Sequence, residues 1–198
     1  MTDSRTTATG GRASVRRFFV SVALVAATIL PATALATIDD PEPQRTVTVR
    51  EEHGVYFVAA RFQVKQALGI ARAVLTDYEQ IPRFMPNVQS SIVLERSSGR
   101  AVVQQEGISR MMMFSKRVYL VLEITEKPDT LRFRDRSGAS FARYEGMWTL
   151  CEENGGTEIQ YELAAQPAFG VPEFLLKRLL RRDSGEMIDA LKRAIAAR

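Results

Sequence analysis

The sequence predicts an α+β domain in which a curved antiparallel sheet surrounds a long C-terminal helix. Between Val88 and Ala165, apolar and polar residues alternate with period two, which is typical of antiparallel strands with one face in water. After Gly170 the period becomes that of a helix, with one apolar stripe formed by Leu176, Leu180, Met187, Leu191 and Ile195. Because a long sheet must cover its apolar face, and this helix is the longest one predicted, we expect the sheet to curl around it.

Residues 1–36 have the three-part layout of a secretory signal peptide. Residues 1–17 are polar and contain arginines, residues 18–30 are apolar and uncharged, and a small-x-small pattern ends at Ala36. The apolar run is shorter than the roughly 20 residues that a membrane span needs, so we expect cleavage after Ala36 and export to the periplasm or the extracellular medium. The alternative is an uncleaved membrane anchor.

Two further features belong to this N-terminal part. Arg16 and Arg17 resemble a twin-arginine signal, although Val15 stands where Ser or Thr is usual. Residues 37–45 contain two aspartates and two prolines, which predicts a flexible lead-in. The folded domain is therefore expected to span residues 46–198.

Composition and charge argue against several classes of function. The chain has 198 residues, 45% hydrophobic and 25% charged, which suggests one globular domain. Residues 1–36 carry +3 of the formal net charge of +4, and a domain so close to neutral is a poor nucleic-acid binder. With one cysteine (Cys151) and one histidine (His53), no internal disulfide can form. We expect no metal ion and no cofactor, because zinc sites and nucleophile–histidine sites need more such residues or a better placed one.

The domain is predicted to begin with two strands and a helical section. Strands at 46–52 and 55–64 are joined by a turn at His53 and Gly54, and a short helix follows at 66–76. The next ten residues form a bent helical connector, because two prolines four residues apart prevent one regular helix. The apolar residues of this connector share one face by their helical spacing: Tyr78, Ile81, Phe84 and Met85.

Five more strands and the long helix complete the predicted order. In the segment 130–136, Leu131 and Phe133 alternate with three arginines, which indicates one buried and one wet face. The Asn-Gly-Gly sequence at 154–156 predicts a hairpin turn before the last strand. The helix starts near Pro172 and Glu173, where a proline and an acid suit the first turn.

The order of elements and three motifs resemble the START-like (SRPBCC) superfamily, and within it the polyketide cyclase/dehydrase and coenzyme Q-binding group. The motifs are DYEQIPRFMP at 77–86, YEGMW at 144–148 and GGTEIQY at 155–161. The residues that match the first two are Asp77, Tyr78, Pro82, Phe84, Pro86, Gly146 and Trp148. The resemblance covers about residues 46–197. It implies a helix-grip fold, in which a seven-stranded antiparallel sheet holds the C-terminal helix with an apolar cavity between them. The secretion signal departs from the cytosolic and mitochondrial members of the group.

Such a cavity would bind a hydrophobic small molecule, since apolar concavities with a few polar groups are the usual ligand sites. The candidate ligand-binding residues are Tyr78, Phe84, Met85, Met112, Phe114, Phe133, Tyr144, Trp148, Tyr161, Leu176, Leu179 and Met187. The alternative for each of them is an ordinary place in a packed core.

Two surface features suggest transient contact with a membrane. Three methionines and a phenylalanine at 111–114 lie between two strands, where loops are normally polar, and are interpreted as a lid or rim. Four cations on the terminal helix would attract anionic headgroups; these are Lys177, Arg178, Arg181 and Arg182. The alternatives are a tucked-in hairpin end and a solvated helix face.

Three functions remain open. The first is a non-catalytic binder or carrier of a lipid, an isoprenoid or a quinone. The second is an aromatic polyketide cyclase or dehydratase, which needs an acid or base in the cavity; the candidates are Glu106, Asp135, Arg143 and Glu145. Asp135 shares a face with Phe133 and is the preferred candidate, whereas alternation points Glu145 outward. The third is a protein-interaction module, which a filled core would favour.

Overall fold

The computed structural model describes residues 45–111, 114–170 and 172–198, with only the backbone described at positions 110, 111 and 114. The predicted signal peptide, its cleavage after Ala36 and nearly all of the lead-in lie outside the described residues. The same holds for Met112. These features stay predictions.

Eight strands and three helices make up the described part of the chain. Their order is β1 (Thr46–Glu52), β2 (Val55–Val64), α1 (Leu68–Leu75), α2 (Ile81–Phe84), β3 (Val88–Ser97), β4 (Arg100–Met111), β5 (Phe114–Glu126), β6 (Thr130–Asp135), β7 (Phe141–Glu153), β8 (Gly156–Pro167) and α3 (Glu173–Ala196). A single 3₁₀ turn at Tyr78–Gln80 precedes α2. None of the helices in the described ranges combines the length and the apolar composition needed to cross a bilayer.

All eight strands form one antiparallel sheet with the order β1-β2-β8-β7-β6-β5-β4-β3. The sequence predicted seven strands, and the structure has eight. Six strands rather than five follow the helical section, and each pairs with a neighbour. Asn154 and Gly155 both have positive φ angles, 51° and 77°, as the tight hairpin turn between β7 and β8 requires.

The C-terminal half of α3 packs tightly into the sheet. Ile188, Leu191 and Ile195 are fully buried and belong to one cluster with residues of β2, β7, β8 and α1. Gly185 lets a side chain approach this helix closely, since the Arg45 guanidinium donates a hydrogen bond of 2.9 Å to its carbonyl oxygen. This end of the interior is filled.

The connector between α1 and β3 is bent, as its two prolines predict. Pro82 lies in the first turn of α2, where its missing N–H is not needed. Tyr78 is buried, and its hydroxyl donates a hydrogen bond of 2.9 Å to Glu126 at the end of β5. This bond fixes the connector over the concave face of the sheet.

Candidate functional site

Two cavities lie between the concave face of the sheet, the connector and α3. The first, called the outer chamber, has a volume of about 230 Å³ and reaches the surface at Pro86, Lys116 and Phe169. The second, called the inner chamber, has a volume of about 160 Å³ and is lined mainly by buried residues of α1, β5 and β6 and by the connector. Residues of α3 line one side of both chambers.

The walls of both chambers are mainly apolar. The outer chamber is bounded by Val118 and Leu120 of β5 and by Leu176 and Leu179 of α3. The inner chamber is bounded by apolar side chains from five elements and the connector: Val74, Leu75, Ile81, Phe84, Leu122, Ile124, Leu131, Phe133, Trp148 and Leu191. Apolar walls of this kind favour apolar ligands, because burial removes hydrocarbon surface from water.

Six residues line both chambers and define what we call the junction: Met85, Val88, Gln105, Tyr144, Tyr161 and Met187. Half of these residues are apolar, and two of them are methionines, whose unbranched side chains adapt to different neighbours. A change in their rotamers would change how far the two chambers communicate.

Aromatic rings pack around the junction. Tyr161 contacts Trp148 with ring centroids 4.3 Å apart and lies nearly parallel to Phe133 at 6.3 Å, with 18° between the ring planes. Tyr144 lies 4.9 Å from Phe141 and 6.0 Å from Phe133. These contacts hold both tyrosine rings in place from two sides.

Gly146 creates the room for this arrangement. A Cβ atom at position 146 would lie 2.5 Å from the ring of Phe133 on β6 and 2.2 Å from the carbonyl oxygen of Glu162 on β8. The absent side chain therefore lets the Phe133 ring lie over the backbone of β7, between Tyr144 and Trp148. Steric contact with Phe133 and Glu162 thus explains why the YEGMW motif has a glycine at position 146.

The hydroxyl groups of Tyr144 and Tyr161 form a buried pair. Burial raises the pKa of Tyr144 to about 12, although the hydrogen bond with Tyr161 works in the opposite direction. Burial also raises the pKa of Tyr161, and the nearby Tyr144 hydroxyl and the hydrogen bond between the two add to that increase. The two hydroxyls therefore form one hydrogen bond with each other.

An acid also lines the outer chamber. Asp183 of α3 accepts hydrogen bonds from Arg182, at 2.8 and 3.0 Å, and from the hydroxyl of Ser109 on β4. Burial raises the pKa of the Asp183 carboxyl above its ordinary value, and the bonds to Arg182 offset part of that increase.

Ten of the twelve predicted ligand-binding residues line a chamber. Eight of them line the inner one: Tyr78, Phe84, Met85, Phe133, Tyr144, Trp148, Tyr161 and Met187. Leu176 and Leu179 line the outer one. Met112 lies outside the described residues, and Phe114 begins β5 with no description of its side chain. That these residues contact a ligand stays a prediction.

The structure corrects the choice of Asp135 as the acid of the cavity. Its carboxylate accepts hydrogen bonds from the backbone N–H groups of Val121 (2.8 Å), Ser137 (3.0 Å) and Gly138 (3.1 Å). Asp135 thus caps the turn after β6 and lines neither chamber. Local backbone donors occupy the oxygens that catalysis would need.

The other three candidates lie at the surface. Arg143 and Glu145 are paired with each other on the outside of β7, at 2.8 Å from Nε to Oε1. Glu106 is exposed at the rim of the outer chamber. None of the three is placed deep in a chamber.

Sequence reasoning missed the polar residues of the chambers. Gln105 and Ser109 continue the inward face of β4 that begins with Ala101 and Val103, and Asp183 lies four residues after Leu179 on α3. Periodicity therefore places all three on inward faces. Strand alternation indicates only the acids of the strands, and Asp183 lies on a helix.

Within the described ranges, no group of three or more His, Cys, Asp or Glu side chains could hold a metal ion. The lining residues of the two chambers carry three phenols, two amides, two serine hydroxyls, two carboxyls and one amine in otherwise apolar walls.

Comparison with solved structures shows the fold. The chain resembles a STAR-related lipid transfer protein from Xanthomonas axonopodis, with a TM-score of 0.60 and 18% identity over 76% of this chain and 98% of that one. It resembles the Zhui aromatase/cyclase from Streptomyces, with a TM-score of 0.62 and 13% identity over 72% and 94%. Human STARD10 gives a TM-score of 0.61 and 12% identity over 77% and 73%. No curated protein matches the chain by sequence.

These structures share the curved sheet and the C-terminal helix of the helix-grip fold, and they include a STAR-related lipid transfer protein and an aromatase/cyclase. A family model described as polyketide cyclase/dehydrase and lipid transport matches residues 73–192, from α1 to near the end of α3. The chain therefore belongs to the polyketide cyclase/dehydrase and lipid transport family.

Proposed function

We propose that this protein is exported and binds or carries a hydrophobic small molecule of the lipid, isoprenoid or quinone class without changing it chemically. The observation that supports this proposal most is the pair of apolar chambers on the concave side of the sheet. A protein that used this fold only to contact other proteins would have no need for this space.

The size of the chambers supports a ligand that occupies both. At 230 and 160 Å³, each chamber alone is smaller than the range of about 300–1,000 Å³ that is usual for small-molecule pockets. A ligand that passes the junction reaches this range. The inner chamber alone has room for about five groups of the size of a water molecule or a methylene, at about 30 Å³ each.

The proposal is tested by organic extraction of the purified protein and mass spectrometry of the extract, together with uptake of fluorescent lipids. We expect a bound apolar compound and saturable uptake. A protein that contains no lipid and takes up none would contradict the proposal.

A pair of variants on β5 locates the binding site. Val118 lines the outer chamber, whereas Val121 is not among the residues that line either chamber. We expect Val118→Trp to lose most of the uptake because the indole fills the outer chamber. Val121→Trp makes the same substitution three residues away and is expected to bind like the wild type.

Export is a separate part of the proposal. In the native host, the mature protein is expected to begin at Thr37, as N-terminal sequencing would show. An intact N-terminus in a membrane fraction would instead support the uncleaved anchor.

A second function, that of a cyclase or dehydratase, is favoured by one observation, the carboxyl of Asp183 in the outer chamber with its raised pKa. A carboxyl whose pKa is raised by burial in a mainly apolar cavity is suited to general acid catalysis. The test compares the compounds extracted from the wild type and from Asp183→Asn. Identical compounds support binding alone, whereas compounds that differ by one water support a dehydratase.

We also propose that the N-terminal part of α3 contacts anionic membranes. Phe174 is 77% exposed, and Arg178 and Arg181 follow it four and seven residues later on the exposed face of the helix. Leu176, Leu179 and Leu180 of the same segment line the outer chamber. Each cation near an anionic bilayer surface contributes about 1 kcal/mol to binding.

Sedimentation with vesicles tests this contact. The protein is expected to bind phosphatidylserine vesicles and not vesicles of phosphatidylcholine alone, and Phe174→Ser and Arg178→Glu should each weaken the binding. Arg193→Glu, an equal charge change in the last turn of α3, is the control. Equal losses in Arg178→Glu and Arg193→Glu would show only bulk attraction.

A further inference from the structure

We propose that the ligand has an oxygen atom that accepts a hydrogen bond, such as a carbonyl oxygen, part-way along an otherwise apolar skeleton, and that a hydroxyl of the Tyr144–Tyr161 pair binds this oxygen at the junction. This inference rests on the proposed binding function and specifies its ligand. It follows from where the polar atoms lie and from which of them are already occupied.

The polar atoms of the cavity are not distributed evenly. Gln105, Tyr144 and Tyr161 belong to the six residues that line both chambers, so their polar atoms lie where the chambers meet. Beyond them, the inner chamber is bounded mainly by apolar side chains of the buried core. An apolar tail in the inner chamber would therefore have its first polar contact at the junction.

The hydrogen bonds of the pair leave one donor for the ligand. Tyr144 and Tyr161 are hydrogen-bonded to each other, and one such bond uses the proton of only one of the two hydroxyls. The proton of the other hydroxyl is left for a further acceptor. A donor in an apolar cavity is costly to leave without an acceptor, and a ligand oxygen would supply one.

The amide of Gln105 is oriented by a neighbour. Its Nε2 donates a hydrogen bond of 3.3 Å to the hydroxyl of Ser91 on β3. An amide nitrogen carries two hydrogens, so one N–H of Gln105 stays available beside the phenol proton. The junction thus offers a ligand oxygen a phenol donor and an amide donor.

The rings that carry these hydroxyls cannot turn away easily. Tyr161 lies between Trp148 and Phe133, and Tyr144 lies between Phe141 and Phe133. The donor is therefore held in place before a ligand arrives, which reduces the entropy lost on binding.

The inference is tested with two linear probes of equal length, dipentyl ketone and undecane. Each displaces the fluorescent apolar dye N-phenylnaphthylamine from the protein, and the quantity compared is the ratio of the two dissociation constants. Because the ketone is more soluble in water than the alkane, this ratio is compared between variants rather than interpreted alone.

Both hydroxyls must be removed together. In either single variant, the tyrosine that remains would have its proton free to bind the ketone. In the double variant Y144F/Y161F, we expect the preference for the ketone to fall by about 2-fold to 10-fold, the effect of one lost hydrogen bond. Tyr119→Phe is the control, because the Tyr119 hydroxyl donates to Gln104 and lines neither chamber.

The outcomes separate this inference from the proposed function. If both probes bind and the double variant keeps the wild-type ratio, the hydrogen bond at the junction is refuted while the binding function stands. If neither probe nor dye binds the wild type, the binding function itself fails, and the inference fails with it.

A measurement on the wild type covers the case in which the double variant does not fold. The infrared carbonyl band of dipentyl ketone bound to the protein is expected at a lower frequency than in hexane, because a hydrogen bond weakens the C=O bond. A band at the hexane position would overturn the inference.

Discussion

The two halves of α3 face the same sheet but produce different interiors. In the C-terminal half, Ile188, Leu191 and Ile195 are each 0% exposed and belong to the central core cluster. In the N-terminal half, Leu176 and Leu179 pack on Tyr56 in a small separate cluster and border the outer chamber. We call these regions the filled end and the open end.

The difference arises from what lies opposite the helix. At the filled end, α1 adds Ala71 and Val74 to the same core and closes the space between α3 and the sheet. At the open end, the inward face of β4 continues with Gln105, Gly107 and Ser109, which are polar or lack a side chain. A helix with an apolar stripe thus becomes core or cavity wall according to the elements that face it.

The largest expected effect tests this comparison directly. Ile188→Ala and Leu179→Ala each remove three carbon atoms from α3. We expect Ile188→Ala to lower the free energy of unfolding by about 3–5 kcal/mol, because it opens a cavity in a filled core. Leu179→Ala enlarges an existing space and should cost less than about 2 kcal/mol, measured by urea denaturation. Equal losses would mean that the two ends are packed alike.

A second variant would fill the open end from the sheet. Gly146→Ala places a Cβ atom where the Phe133 ring and the Glu162 carbonyl oxygen now lie. Overpacking of this kind costs about 1–3 kcal/mol, and the displaced ring would move towards the inner chamber. We expect lower stability and weaker uptake of fluorescent lipids. Gly138→Ala, with no atom within 4 Å of the added Cβ, controls for backbone strain alone, since Gly138 has a positive φ.

A third variant asks whether the wall of the inner chamber depends on a polar contact. Tyr78→Phe removes the hydrogen bond to Glu126, whose carboxylate also lies 3.4 Å from Arg72 and Arg96. Loss of one such bond should lower the free energy of unfolding by about 1 kcal/mol. Tyr119→Phe, which removes a bond on a less buried residue, should cost less. An unchanged stability in Tyr78→Phe would show that packing alone holds the connector.

The smallest expected effect concerns the acid at the open end. Because burial raises the pKa of Asp183 in the folded protein, its contribution to stability is fully present below the unfolded pKa of about 3.9 and is lost as the pH rises through the folded pKa. Asp183→Asn stays neutral, so it should gain stability relative to the wild type between pH 4 and pH 7, within about 0.5 kcal/mol.

Urea denaturation at several pH values measures this difference. Asp129→Asn changes an acid in the β5–β6 turn outside the chambers and should show no such gain. A gain in Asp183→Asn that is the same at pH 4 and pH 7 would show that ionisation of Asp183 is not its cause.

Several parts of the molecule follow from the sequence alone. Period two between Val88 and Ala165 predicted the antiparallel sheet, and the stripe on α3 predicted the helix that the sheet surrounds. The prolines of the connector predicted its bend. These features depend on the geometry of a few consecutive residues, which periodicity describes directly.

Only the tertiary structure decided where the interior is filled and where it is open. Leu179 and Ile188 both belong to the apolar part of α3, yet Leu179 borders the outer chamber whereas Ile188 is fully buried in the central core. Asp183 and Ser109 are 74 positions apart in the chain, and their hydrogen bond depends on how α3 lies across β4. A cavity is a distance between facing side chains of different elements, and no local pattern of residues determines that distance.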